Sequence, residues 1–183
     1  PGYAARQFTP DPVRRQASPT KPATDEPITF PIAKAQVSKL KNSLPNKLSS
    51  PVWLQISDLA SFFWLIFNLK ATRGYQQLLI LFPTVRLIEI AARILKQRYP
   101  EAVAVIHSQL AGGAFWRAYA AIQAGQAKII LSTRQGVFLP LRARSAIMIF
   151  DYESQDFKQS DQHPRYDARR VAAWTAKNTD SDL

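Results

Sequence analysis

Cysteine is absent from this chain, and histidine occurs only at His107 and His163. The first absence excludes disulfides, thiolate metal sites and cysteine nucleophiles, and fits a reducing compartment such as the cytoplasm. With two distant histidines, a metal centre would need carboxylates from elsewhere, so none is expected. Long apolar runs are missing too. The longest, Leu59–Phe67, falls far short of the roughly 20 residues that span a bilayer. No charged-then-apolar leader precedes it, and the chain opens at Pro1. The expectation is a processed start or a piece of a longer protein, with no membrane partner. No Ser–His–Asp order and no nucleophile elbow occur.

Positive charge is plentiful. The formal net charge is +11, and it is unevenly spread. Residues 1–50 carry eight Lys/Arg against three acids, residues 51–150 eleven against three, and the last 33 residues five against seven. A basic excess sustained over the middle points to a polyanion, nucleic acid first and an anionic membrane second. A basic surface kept for solubility is the bland alternative.

Seven of the thirteen prolines lie in residues 1–31, among Arg, Thr, Ser and Asp. That composition reads as a linker or disordered arm. Residues 32–177 read as one domain, with 178–183 as a tail. Ile32–Leu44 suits a short basic helix stopped by Pro45. Strand-length runs then alternate with helical patterns. The strands are Val52–Gln55, Gln77–Phe82, Ala102–Ile106, Ala127–Leu131 and Ala146–Phe150. The helices are Leu59–Arg73, Arg86–Tyr99, Gly113–Ala124 and Arg165–Lys177. In the second helix, Leu87, Ile90, Ala91, Ile94 and Leu95 share a face. Strands that are apolar throughout fit a parallel sheet covered on both faces, so an α/β, doubly wound, mostly parallel sheet is expected. Ligands of such sheets bind beyond the carboxyl ends of the strands.

Three strand-end stretches carry chemistry. Ser132-Thr133-Arg134 offers two hydroxyls and a guanidinium, suited to a phosphate or to an ordinary polar loop. Phe157, Lys158, Arg165, Tyr166 and Arg169 mix rings with cations, as single-strand binders do, or else open a solvated amphipathic helix. Asp151 and Glu153 follow the last apolar run, where nucleotide hydrolases hold magnesium. That pair would need a Gly-rich cradle with Lys and Ser/Thr after the first strand. The stretch there is Gln55-Ile-Ser-Asp-Leu-Ala-Ser-Phe-Phe63, with no Gly and no Lys.

Together "VAVIHSQL" (103–110), "QAGQAKIILSTRQGVFLPL" (123–141) and "DYESQDFKQSDQHPRYDARRVA" (151–172) resemble primosomal protein N′ (PriA), a family of superfamily II DNA helicases. The likeness runs from about Ile32 to Trp174. The family shows His-Ser-x-Leu, Gly-Thr-Arg-Ser-x-Val-Phe-x-Pro, and an Asp-Glu-Glu-His box running into Lys-Gln…Pro-Arg-Tyr-x-Ala-Arg. The resemblance implies the first of two RecA-like, P-loop NTPase-type motor domains, with the second lobe lying elsewhere in the natural protein. It places Gln36 at an adenine-reading position. It places Arg86, Ser132, Thr133 and Arg134 against the DNA backbone, and Phe157–Arg169 in an aromatic-rich loop that couples DNA contact to ATP hydrolysis.

The chain departs from the pattern where phosphate chemistry is done. "ISDLASFF" (56–63) covers the family's cradle, with Phe62 for its Lys and Phe63 for its Thr. In the acidic box Asp151 survives, Tyr152 replaces Glu and Ser154 replaces His, although a one-residue shift would bring Glu153 into the catalytic place. ATP and magnesium are thus implied by the family alone, and no cofactor is expected here. Three readings remain open. The first is a DNA-binding, replication-restart domain that has lost its ATPase, with forked or single-stranded DNA and restart proteins as partners. The second is an active 3′–5′ helicase motor. The third is a basic scaffold for RNA or protein.

Overall fold

The computed structural model describes residues 61–67, 74–161 and 163–178. The expected arm over 1–31, the helix Ile32–Leu44, Gln36 and the strand Val52–Gln55 lie outside the described residues. Within them the chain runs α1 (61–67), β1 (Leu78–Leu81), α2 (Val85–Arg98), β2 (Val103–Ile106), α3 (Gly112–Gln123), β3 (Ile129–Ser132), β4 (Ala146–Ile149), β5 (Lys158–Gln159), β6 (Tyr166–Asp167) and α4 (Ala168–Asn178). Short 3₁₀ turns, Arg134–Phe138 and Gln155–Phe157, precede β4 and β5.

Strands β1–β4 form one parallel sheet in the order β2-β3-β1-β4, with Leu78 opposite both Ile129 and Ala146. Helices lie on both faces, as the continuous apolar runs predict. Successive side chains of a strand point to opposite faces. Leu78, Ile80, Phe82, Ile129 and Leu131 therefore meet Phe62, Phe63 and Ile66 of α1 and Ile88, Ala91 and Leu95 of α2. Leu79, Leu81, Ile130 and Ile147 face the other way, towards Ile122 of α3 and Ala168 and Ala172 of α4. The small β5–β6 ribbon is antiparallel and separate from the main sheet. No helix among the described residues is long and apolar enough to cross a membrane.

Helix α2 begins where the Thr84 hydroxyl accepts from the Leu87 N–H, and ends with Lys96 and Arg98 beside its negative pole. Its buried stripe is Ile88, Ala91, Ala92 and Leu95, whereas Ile90 is exposed. The sequence places Ile90 on the buried face. Eight apolar residues crowd this helix, and their spacing alone leaves the phase of the stripe ambiguous by about one position. Helix α3 ends in a Schellman motif. Gly125, at φ +73°, lets its own N–H reach the Ile122 carbonyl and the Gln126 N–H reach that of Ala121.

Gln77, immediately before β1, is 1% exposed and holds the amino end of the sheet together. Its amide nitrogen donates to the carbonyls of Ile122 and Ala127, each at 2.9 Å. Its amide oxygen accepts from the Arg142 N–H at 2.8 Å. One side chain thereby ties the end of α3, the entry to β3 and the segment leading into β4. Replacing Gln77 with Leu leaves these buried backbone groups without their partner. Such losses cost about 1–3 kcal/mol per group, so Gln77→Leu should lose about 2–4 kcal/mol in urea unfolding. Unchanged stability would mean that the amide is dispensable.

Candidate functional site

All four strands of the main sheet end on one edge. In spatial order it carries His107 after β2, Thr133 and Arg134 after β3, Pro83–Arg86 after β1, and the turn Asp151–Ser154 after β4. The sequence motifs therefore converge, although their side chains take different parts.

At the β1–β4 end, aromatic rings fill the space. Phe62 and Phe63 of α1 are 3% and 1% exposed. The Phe62 ring lies edge-on to Phe150 at 4.8 Å and to Phe82 at 5.9 Å, and Phe82 and Phe150 are 5.5 Å apart. A phosphate needs backbone amides at close approach and a cationic side chain. Neither Phe62 nor Phe63 supplies these, so the described residues do not fit a nucleotide triphosphate and its magnesium. The Ile56–Ala60 part of the aligned cradle lies outside the described residues. Trp64 and Phe67 belong to the same helix but are only partly buried.

Asp151 directly follows Phe150 and takes φ +55°, a left-handed conformation that Asp tolerates better than most residues. Asp151 and Glu153 are both exposed. No group of three metal-ligating side chains exists among the described residues. The acidic turn is held from below by Arg169. That guanidinium donates to both carboxylate oxygens of Asp167, at 2.8 and 2.7 Å, and to the Tyr152 carbonyl at 2.8 Å, and it sits 5.2 Å from the Tyr152 ring centre. Asp167 also accepts from the Arg169 backbone N–H.

This arrangement corrects the DNA-facing set. Arg169 is committed to an internal clamp, and its side chain is only 10% exposed. Phe157 is fully buried in the core between sheet and α4, because the 3₁₀ turn before β5 points it inward. Ser132 is 1% exposed, and its hydroxyl donates to the Ile106 carbonyl at 2.7 Å. Composition shows that rings, hydroxyls and cations are present but not which way they face.

Four residues remain outward. Arg86 is exposed on the first turn of α2, and Lys158 and Arg165 are exposed around the β5–β6 ribbon. Thr133 is half-buried at the tip of β3. Arg134 lies between, donating to the Asp156 carbonyl at 3.2 Å and the Gln159 side chain at 3.4 Å. It also approaches Tyr166, whose phenol is pushed above its ordinary range by burial, against the pull of Arg134.

Gly136 seats the 3₁₀ turn that presents Arg134. A Cβ there would fall 2.6 Å from that of Ser132 and 2.9 Å from a Leu81 methyl. Sequence reading missed the rings of Phe115, Trp116, Tyr119 and Phe138 as surface features. For the three on α3 the "FWRAY" run (115–119) was the available signal, within a stretch read only as a helix.

No family model matches the chain. Curated relatives do. It is 31% identical over 97 residues to replication restart protein PriA of Synechocystis sp., covering 53% of this chain and 12% of that protein. PriA of Chlamydia trachomatis is 26% identical over 114 residues, covering 62% and 15%. PriA of Bacillus subtilis is 26% identical over 103 residues, covering 56% and 13%. The chain is thus a partial, distant PriA-like relative, and it spans 12% to 15% of the length of these proteins. Among solved structures, the C-terminal domain of S. cerevisiae Dbp5 superposes with a TM-score of 0.44 at 16% identity, over 54% of this chain and 56% of that one.

The Arg169 clamp has a pH signature. Hydrogen bonding from Arg169 holds the Asp167 carboxyl below its ordinary value. A carboxylate with a depressed folded pKa stabilises the fold above the ordinary carboxylate range, about pH 4, and the contribution is lost as pH falls through the depressed value. Asp167→Asn should lower stability by about 1–2 kcal/mol at neutral pH, the scale of a charge-assisted pair at a partly exposed site. It should also flatten the acid limb of the stability curve below about pH 4. Melting temperatures across pH 2.5–7 for the two proteins check this; parallel curves would exclude the clamp.

Proposed function

We propose that this PriA-like relative is a DNA-binding domain of replication restart in which the ATPase of the family has been lost. The observation that carries the second half is the burial of the Phe62 ring against Phe82 and Phe150, in the place that aligns with the phosphate-binding lysine. Phosphoryl transfer relies on positioned cations and amides around the phosphates and their metal, and little else in the protein replaces them. With rings in that corner, Asp151 and Glu153 are remnants of a metal site. Tyr152, where the family has Glu, is tied to Arg169 rather than free to act on water.

DNA binding rests on the basic character of the chain and on Arg86, Arg134, Lys158 and Arg165 along and beside the carboxyl edge of the sheet. Such cations hold phosphates and fix register without reading sequence. Forked or single-stranded DNA is the expected ligand, and replication-restart proteins in the cytoplasm are the expected company. A single lobe does not unwind DNA alone. ATP, where a motor of this kind uses it, sits between two lobes.

Two measurements test the proposal. Calorimetric titration with ATP and magnesium, in the presence of forked DNA, should give no binding heat up to millimolar nucleotide. Heat that disappears in Asp151→Ala would overturn the loss of the ATPase. DNA affinity should fall steeply with salt. Three or four neutralised phosphates give a slope of about −2 to −3 in log K against log salt for single strands. Affinity that ignores salt, or no affinity at all, would overturn DNA as the partner.

A further inference from the structure

Helix α3, the turn Arg134–Phe138 and the β5–β6 ribbon enclose a groove of about 350 Å³, within the range of small-ligand clefts. Its walls are aromatic. Phe115 and Tyr119 line it from α3, and Phe138 and Tyr166 from the other side. Phe115 lies over Tyr119 with centroids 6.4 Å apart and planes 16° apart; Phe138 stands edge-on to Tyr166 at 5.0 Å. Phe138 remains 60% exposed, and Trp116, edge-on to both Phe115 and Tyr119, 65%.

Polar groups are placed among these rings. The side chains of Gln135 and Gln159 line the groove. Beneath it lies a smaller cavity of about 50 Å³, which shares Phe115, Gln135 and Leu139 with the groove and is bounded by His107 and Ser132. His107 is 7% exposed, and its Nδ1 is buried with no hydrogen-bond partner. Buried polar atoms are ordinarily paired, and the small cavity beside this nitrogen is of a size to hold a water. No acid lines the groove. Arg134 touches Gln159 and Tyr166 at its rim, whereas Lys158 pairs across the ribbon with Asp167. Asp156 and Asp161 are the nearby exposed acids, and Asp167 is neutralised by Arg169.

We infer that this groove captures an unpaired base of single-stranded DNA, stacked on Phe138 and Tyr119 with its polar edge towards Gln135 and Gln159. Flat faces for stacking, side-chain amides for a heterocycle's edge, and a guanidinium at the rim for an adjoining phosphate suit such a ligand. The inference rests on the proposal that the chain binds DNA, and it adds a site that the cations alone do not define.

The test uses the full chain and two fluorescent oligonucleotides of equal length, oligo(dT) and its fully abasic counterpart. Both present the same phosphates. Anisotropy should show the abasic strand binding about tenfold more weakly, the worth of roughly one stacked base. Phe138→Ala, at a side chain too exposed to endanger the fold, should bring oligo(dT) down to the abasic level and leave the abasic affinity unchanged. A 2-aminopurine strand should be quenched on binding the unaltered chain and not on binding this variant. Equal, salt-sensitive affinity for both strands would overturn the base site while leaving DNA binding in place. A base preference that survives Phe138→Ala combined with Tyr119→Ala would overturn it too, by locating the site elsewhere. Absence of binding to either strand would overturn both the groove and the DNA reading. A proline-rich peptide that binds the groove without any base dependence would assign it to protein instead.

Discussion

The fold hangs on a single buried amide. A parallel sheet cannot close its strands with tight hairpins; each strand must be reached by a crossover, and the crossovers must be fastened at the amino end. Gln77 does this with three hydrogen bonds, to the end of α3, to the entry of β3 and to the segment before β4. Backbone bonds around it complete the arrangement: Gln76 donates to the Arg144 carbonyl and Ala146 to that of Gln77. Because the amino end is fixed, the opposite edge can carry loops of irregular shape without losing register. That division of labour is what lets the carboxyl edge hold a 3₁₀ turn, a left-handed Asp151 and a two-residue ribbon side by side.

The carboxyl edge itself divides into two halves with different physics. Towards β4 it is dry, filled by Phe62, Phe82 and Phe150, and its acidic turn is anchored by Arg169. Towards β2 and β3 it is open, with Phe138 and Trp116 exposed and an imidazole nitrogen unpaired below them. In the family pattern the first half is the nucleotide side. The proposed function follows from this asymmetry: closed where phosphate hydrolysis would occur, and aromatic and cation-rimmed where a strand of DNA could lie.

Much of the scaffold was legible in the sequence for a plain reason. Strands buried on both faces must be apolar at every position, and Leu78–Leu81, Val103–Ile106, Ile129–Leu131 and Ala146–Ile149 are. The β5–β6 ribbon was not, because two residues per strand, Lys-Gln and Tyr-Asp, carry no period. The site was legible only as an address. Thr133, Arg134, Asp151 and Arg86 share one edge of the sheet, but direction is set by packing. Phe157 turned inward as the last residue of a 3₁₀ turn, and Arg169 was captured by an acid two residues earlier. The replacement of Lys and Thr by Phe62 and Phe63 was readable by resemblance; their burial against the sheet is what the structure adds. His107 was legible as a strand-end residue but its unpaired nitrogen was not, since that is a property of neighbours and not of the residue.

Filling a corner of the sheet with rings from the chain changes what sets its stability. A cleft that waits for a ligand is strengthened in proportion to the logarithm of that ligand's concentration, so its firmness follows the state of the cell. The Phe62–Phe82–Phe150 cluster is filled by its own covalent chain, at an occupancy that dilution and starvation do not alter. On the proposed reading, the β1–β4 end is a permanently loaded site, equally rigid whatever the supply of small molecules around it.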